Sequence, residues 1–358
     1  MNTEDYAIVI GINRYPRLGP PSPGEPLNLD GPVVDATAMR DWLIDSAKGG
    51  VPEENVAFVT SAAFPDPFET VNVGGIQRTK AEPTVDHLRG CVEWILERHA
   101  QSGKIQLGRR LYVYFSGHGF CVRDCDGGVF LANATPDLVE HFYSSSWFEG
   151  LYNKAIFSEY VLWVDACSSP IPMNLQPSES TLAGQVNNLD DGRRFVAFSA
   201  KFPRKSVERR MPDDQIRGVF SYALLEGLNG AALDEQTGRL TGENLRDYLK
   251  NALKEFLPPQ DQSNPDIGDE PAFGTIDDIE FGQFAAKTFQ REISFDPRHH
   301  GMRARIKDGQ SVVVLETDAG ADLWVVDLMP GLHKVEVEPD TELFLEINGE
   351  SSDEIRIA

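Results

Sequence analysis

The chain has 358 residues, 41% of them hydrophobic and 25% charged, and carries a formal net charge of −23. That length supports one large core and a smaller second one, and the charge argues against a nucleic-acid backbone or an anionic membrane as the main partner. Its longest apolar runs, such as Leu111–Phe115 and Tyr160–Val164, are strand-sized and too short to span a bilayer.

The opening residues have neither the basic nor the apolar region of a signal peptide, and no prodomain precedes Tyr6. A cytoplasmic setting without an N-terminal recruitment segment is therefore the expectation. Four cysteines (Cys91, Cys121, Cys125 and Cys167) are too few for a disulfide framework, and Cys121 and Cys125 have no second Cys/His pair at zinc-site spacing. Neither a metal site nor a cofactor is expected.

In chain order, Tyr6–Ile12 is a short apolar run that reads as a buried parallel strand. Val33–Ile44 carries Val34, Ala38, Met39 and Trp42 at helical spacing. Asn55–Thr60 reads as a second strand, and Thr84–His99 as a second helix with Leu88, Val92, Ile95 and Leu96 on one face. Leu111–Ser116, Tyr160–Val164 and Phe195–Ser199 are the next three strands, followed by helices at Val219–Leu228 and Gly242–Phe256. This alternation predicts a three-layer α/β domain around a mostly parallel sheet, over residues 1–285. Within it, Glu255–Ala286 is acidic, has no Lys or Arg, and reads as a closing segment and linker. From about Ile293 the pattern shifts to short β-branched runs (Ser311–Glu316, Leu323–Leu328, His333–Glu338, Glu342–Ile347), which predicts a small all-β module over 290–358.

Two strand ends carry chemistry. One apolar strand runs into Ser116-Gly117-His118-Gly119, and another into Asp165-Ala166-Cys167. Ligand sites in open parallel sheets lie beyond the carboxyl ends of the strands, so neighbouring strands would present imidazole and thiol side by side. Cys167 is then the nucleophile and His118 its acid–base partner. The backbone N–H groups of Gly119 and Cys167 are the candidate oxyanion donors, and the glycines flanking His118 let a substrate backbone approach. No Arg follows Cys167 at phosphatase spacing, and no G-x-S-x-G follows a strand.

These motifs resemble those of the caspase-like cysteine peptidases, the metacaspases and their bacterial relatives in particular. Besides the His and Cys motifs, Tyr6–Asn13 resembles their first strand, Leu29–Ala36 the entry to their first helix, and Gly218–Gly227 a helix after the fifth strand. The resemblance covers roughly residues 5–250. It implies a caspase-like fold and cleavage of protein substrates at a basic P1 residue, Arg or Lys, with Asp165 and Asp35 lining S1. An ordering role for Asp165 and a helix-start role for Asp35 are the alternatives. The family's long acidic calcium-responsive insertion is missing after His118, so a calcium requirement has no support. The basic run Lys201–Arg210 offers Arg204, Lys205, Arg209 and Arg210 as candidate processing sites, for self-cleavage or for an activating protease, unless it is a solvated loop. Ser168–Asp191 lacks Lys and Arg and is the poorer processing segment. The resemblance implies a regulated bacterial protease in stress, cell-death or antiviral signalling. The rival readings are a catalytically silent scaffold acting through its β module, and a cysteine transferase or ligase on the same fold.

Overall fold

The computed structural model describes residues 4–18, 27–64, 70–167, 182, 192–234, 237–283, 288–309, 311–329, 331–347 and 352–357. The chain divides into two compact units, Met1–Tyr222 with Pro259–Ile279, and Ala223–Pro258 with Glu280–Ala358.

The first unit is built on a six-stranded sheet. Its strands are β1 (Asp5–Gly11), β2 (Val56–Thr60), β3 (Gly108–Ser116), β4 (Phe157–Asp165), β5 (Arg193–Phe198) and β6 (Ala272–Ile276), in the spatial order β6-β5-β4-β3-β1-β2. All neighbours are parallel except β6, which runs antiparallel to β5 at the edge. Strands β1, β3 and β4 are covered on both faces, which is why they read as unbroken apolar runs rather than alternating ones. On one face Ile8, Ile10, Val113, Phe115, Leu162 and Val164 pack with Leu88, Val92 and Ile95 of α2 (Val85–Ser102) and with Phe148 and Leu151 of α3 (Ser144–Lys154). The opposite face receives α1 (Pro32–Ile44), which comes so close that a Cβ on Gly11 would lie 2.6 Å from Ala36 Cβ. Helix, sheet and helix make the α/β sandwich that the sequence predicts.

Local signals set the helix ends. Thr84 and His87 form a reciprocal capping box at the start of α2, and Gly103 closes the helix in the left-handed region at φ 63°. Pro32 stands at the first position of α1, where a missing N–H costs no helical hydrogen bond.

The acidic stretch from Glu255 departs from the expected linker. The helix Gly242–Phe256 enters it, Ala272–Ile276 is the sheet strand β6, and Glu280–Gln283 pairs antiparallel with Arg239–Thr241. Helix α3, the hairpin Thr70–Val73 with Ile76–Thr79, and the small sheet of Gly119–Arg123, Asp126–Phe130 and His141–Phe142 are also additions to the sequence reading. In the second unit, two small sheets enclose a core of Ile293, Phe295, Ala304, Ile306, Val335 and Val337. The four β-branched runs read from the sequence supply strands Val313–Asp318, Trp324–Leu328, Gly331–Val337 and Thr341–Ile347 of these sheets.

Leu162 sits in the middle of β4 and is 1% exposed. Leu162→Ala should destabilise the protein by about 2–5 kcal/mol, seen as a lower urea midpoint with an unchanged slope.

Candidate active site

Parallel pairing places the two strand ends side by side. Strands β3 and β4 run in register up to Ser116 opposite Asp165, and Gly117 N–H then donates to the Asp165 carbonyl at 3.1 Å. Beyond that rung the chains leave the sheet, one as Gly117-His118-Gly119 and the other as Ala166-Cys167. Ser199, just past β5, clamps the second exit: its Oγ accepts from Ala166 N–H at 3.1 Å and donates to the Ala166 carbonyl at 2.9 Å.

Both glycines beside His118 have a packing reason. A Cβ on Gly117 would lie 2.4 Å from Tyr15 Oη, and one on Gly119 would lie 2.6 Å from Ala166 Cβ and 2.8 Å from the Gly128 carbonyl. Either side chain would push His118 away from the Cys167 strand end. The role read from sequence, open access for a substrate backbone, is thus joined by close packing of the site itself.

His118 and Cys167 line one cleft of about 210 Å³. The His118 backbone N–H donates to Tyr15 Oη at 2.9 Å, and the two rings lie 4.7 Å apart. The Nε2–H of His118 donates to the carbonyl of Leu27 at 2.9 Å. A carbonyl can only accept, so this contact assigns the proton to Nε2 and leaves Nδ1 with a lone pair, as a base requires. Cys167 Sγ–H donates to the Ser206 carbonyl at 3.5 Å. Burial pushes the Cys167 thiol above its ordinary value and the His118 imidazole below its own, because desolvation disfavours both charged forms. The resting pair is therefore neutral thiol and neutral imidazole.

The carboxylates expected to line S1 meet in the same cleft. Asp165 Oδ1 accepts from Ser206 Oγ at 2.7 Å, and its Oδ2 from the Oγ and N–H of Ser221 at 2.6 and 3.1 Å. Asp35 Oδ1 accepts from Arg217 Nε at 2.7 Å, and its Oδ2 from Gly218 N–H at 2.8 Å. A Cβ on Gly218 would lie 2.1 Å from Asp165 Oδ2 and 3.2 Å from Asp35 Oδ2, so only glycine lets both acids converge there. Burial raises Asp165, its hydroxyl and amide donors opposing. Burial pushes Asp35 up to about 7, the Arg217 guanidinium holding it down and Asp165 adding to the rise. Glu208 also lines the cleft, its carboxylate accepting from the N–H groups of Asp30 and Gly31 at the entry to α1.

The basic run is more ordered than a solvated loop. Arg204 is ion-paired with Asp269, Arg209 with Asp261, and Arg210 with Asp214. Lys205 N–H is held by the Asp266 carbonyl, and Glu208–Arg210 pairs antiparallel with Ile216–Gly218. The Ser168–Asp191 stretch lies outside the described residues apart from Leu182. Tyr15, Leu27, Ser199, Ser206, Ser221 and Arg217 were not singled out from the sequence. Leu27 and Ser206 hold the His118 and Cys167 side chains through backbone carbonyls, which leave no mark in residue type.

Known proteins resemble the chain as follows. The caspase-domain family model matches residues 4–263. A probable protease from a Desulfuromonadales bacterium is 26% identical over 261 residues, 69% of this chain, and the matched region is 28% of that relative's length. Among solved structures, caspase-1 of Spodoptera frugiperda aligns with a TM-score of 0.48 at 13% identity, covering 79% of this chain and 93% of its own. A Geobacter sulfurreducens protein aligns with a TM-score of 0.41 at 15% identity, covering 76% of this chain and 93% of its own.

The neutral resting pair has a direct kinetic signature. Alkylation of Cys167 by iodoacetamide should climb steadily as pH rises toward and beyond the ordinary thiol range, without the acid plateau of a preformed thiolate–imidazolium pair. Rates measured from pH 5 to 10, with the adduct located by mass spectrometry, check this.

Proposed function

The chain belongs to the caspase-domain family, and on that premise we propose that it is a cysteine endopeptidase cleaving protein substrates after Arg or Lys. The observation that carries this reading is the convergence of His118, Cys167, Asp35 and Asp165 on one cleft at the carboxyl ends of β3 and β4. The kinship with a probable protease supports the peptidase half of it, and the acidic cleft supports the basic P1 residue.

The chemistry follows from the atoms present. Nδ1 of His118 takes the thiol proton as Cys167 Sγ attacks the scissile carbonyl, so the nucleophile is charged only during attack. Leu27 keeps the ring oriented through Nε2–H and disperses the positive charge that builds on the imidazole. The N–H groups of Gly119 and Cys167 are the proposed donors to the tetrahedral oxyanion. The imidazolium then protonates the leaving amine, giving a thioester on Cys167. A water molecule, deprotonated by the now neutral His118, hydrolyses the thioester and restores the thiol. Asp165 and Asp35 supply the negative potential that favours a guanidinium or ammonium at P1 over an acidic or neutral side chain. Autolysis or activation at Arg204, Lys205, Arg209 or Arg210 would first have to open the ion pairs and the Glu208–Arg210 pairing that hold this run.

Fluorogenic peptides that differ only at P1 (Arg, Lys, Asp, Ala) test the reading. Wild-type protein should cleave the Arg and Lys peptides, and Cys167→Ala and His118→Ala should each lose roughly 1,000-fold or more in kcat/KM. Cleavage after Asp in preference to Arg contradicts the S1 assignment, and cleavage that survives Cys167→Ala contradicts the nucleophile.

A further inference from the structure

The two acids of the cleft are not equivalent. Both oxygens of Asp35 are engaged from one strand, Ile216–Gly218, by Arg217 Nε and Gly218 N–H. Arg217 is only 7% exposed. Its Nη1 reaches Asp213 at 3.2 Å, its guanidinium lies 5.4 Å from the Tyr222 ring centroid, and its Nη2 is buried with no hydrogen-bond partner among the described residues. Asp165 is the opposite case. Its partners are neutral donors, among them the hydroxyls of Ser206 and Ser221 and the Ser221 amide, and no ion pair reaches it among the described residues.

A carboxylate with a buried guanidinium already on it contributes little net field to its surroundings, whereas one held by neutral donors keeps its full charge. Without a resident cation, two carboxylates converging on Gly218 would repel, and one would take up a proton rather than both remain charged. The Asp35–Arg217 pair is neutral as a unit, which leaves Asp165 as the carboxylate without an ion pair beside Gly218, while the Glu208 carboxylate lines the cleft separately at the entry to α1.

We propose that Arg217 is a specificity-determining residue, a built-in counter-ion to Asp35 that leaves Asp165 to receive the cationic P1 side chain. Asp35 is then a positioning residue that acts through Arg217, rather than a direct ligand of the substrate. This rests on the reading of the cleft as a pocket for a basic P1 residue.

A double-mutant cycle decides it. kcat/KM is measured for matched peptides with Arg, Lys or the neutral norleucine at P1. Enzyme concentration is set by titrating reactive Cys167, so that only folded sites count. Asp165→Asn should cut the Arg-over-norleucine preference by roughly 100-fold. Asp35→Asn alone should cut it about 10-fold, because Arg217 then keeps only the partly exposed Asp213, 3.2 Å from its Nη1, as a charged partner and turns more of its positive field on Asp165. The double variant Asp35→Asn/Arg217→Gln, which removes the ion pair as a unit, should return to within about threefold of wild type. A double variant as impaired as Asp35→Asn overturns the inference, since it would mean that Asp35 itself meets P1.

Should the double variant yield no titratable sites, two single variants decide. Arg217→Lys keeps the counter-ion and should hold the preference within about threefold from pH 6 to pH 9, while in Arg217→Gln one of the two acids takes up a proton at the lower pH, so the preference should rise about 10-fold across that range as the proton is lost. Equal effects of Lys and Gln overturn the counter-ion role. A wild-type enzyme that prefers norleucine or an acidic P1 overturns the basic-pocket reading itself, and the role of Arg217 with it.

Discussion

The parallel pairing of β3 with β4, in register to Ser116 opposite Asp165, is the constraint on which the rest of the site depends. Parallel strands present both carboxyl ends at the same edge, so two residues after each strand end arrive together with no further device. Both faces of these strands are buried, so sliding one strand by a residue would exchange side chains of different size between two packed faces. The core that stabilises the sheet thus also sets the spacing of His118 and Cys167. Ser199, the packing around Gly117 and Gly119, and Tyr15 refine that placement.

Desolvation is the second organising force. It keeps the thiol and imidazole neutral at rest, which spares the site a buried charge pair until a substrate arrives. The same force acts on Asp165 and Asp35, and the structure answers it differently for each. Asp165 is surrounded by hydroxyl and amide donors, while Asp35 is given a guanidinium. Donors of both kinds come from the segment 206–221, beyond β5. This part of the chain therefore shapes the electrostatics of the cleft, whereas the strand ends supply its thiol and imidazole.

Much of this was legible in the sequence. The apolar strands stood out because they are buried on both faces, and His118 and Cys167 stood out because each follows such a run in a small-residue setting. Asp35 and Asp165 were legible through their place in a family resemblance, and they do meet in one cleft. Other features left no local sign. Strand β6 fully buries only Ala272, exposes Gly274 and Thr275, and lies in an acidic, proline-containing stretch, so it carries no strand periodicity. Helix α3 buries only Ser144, Phe148 and Leu151, too thin a stripe to read beside three serines. The Leu27 and Ser206 contacts are made by carbonyl oxygens that every residue has. The Arg217–Asp35 pair spans 182 positions and exists only once the sheet has formed.

The most direct measurement is the covalent trapping of the site by two peptidyl chloromethyl ketones, one with Arg and one with Asp at P1, read by intact-protein and peptide mass spectrometry. The account predicts a single adduct, on Cys167 and not on Cys91, Cys121 or Cys125, formed far faster with the Arg reagent and abolished in His118→Ala. An adduct on another cysteine, or faster labelling by the Asp reagent, would contradict it.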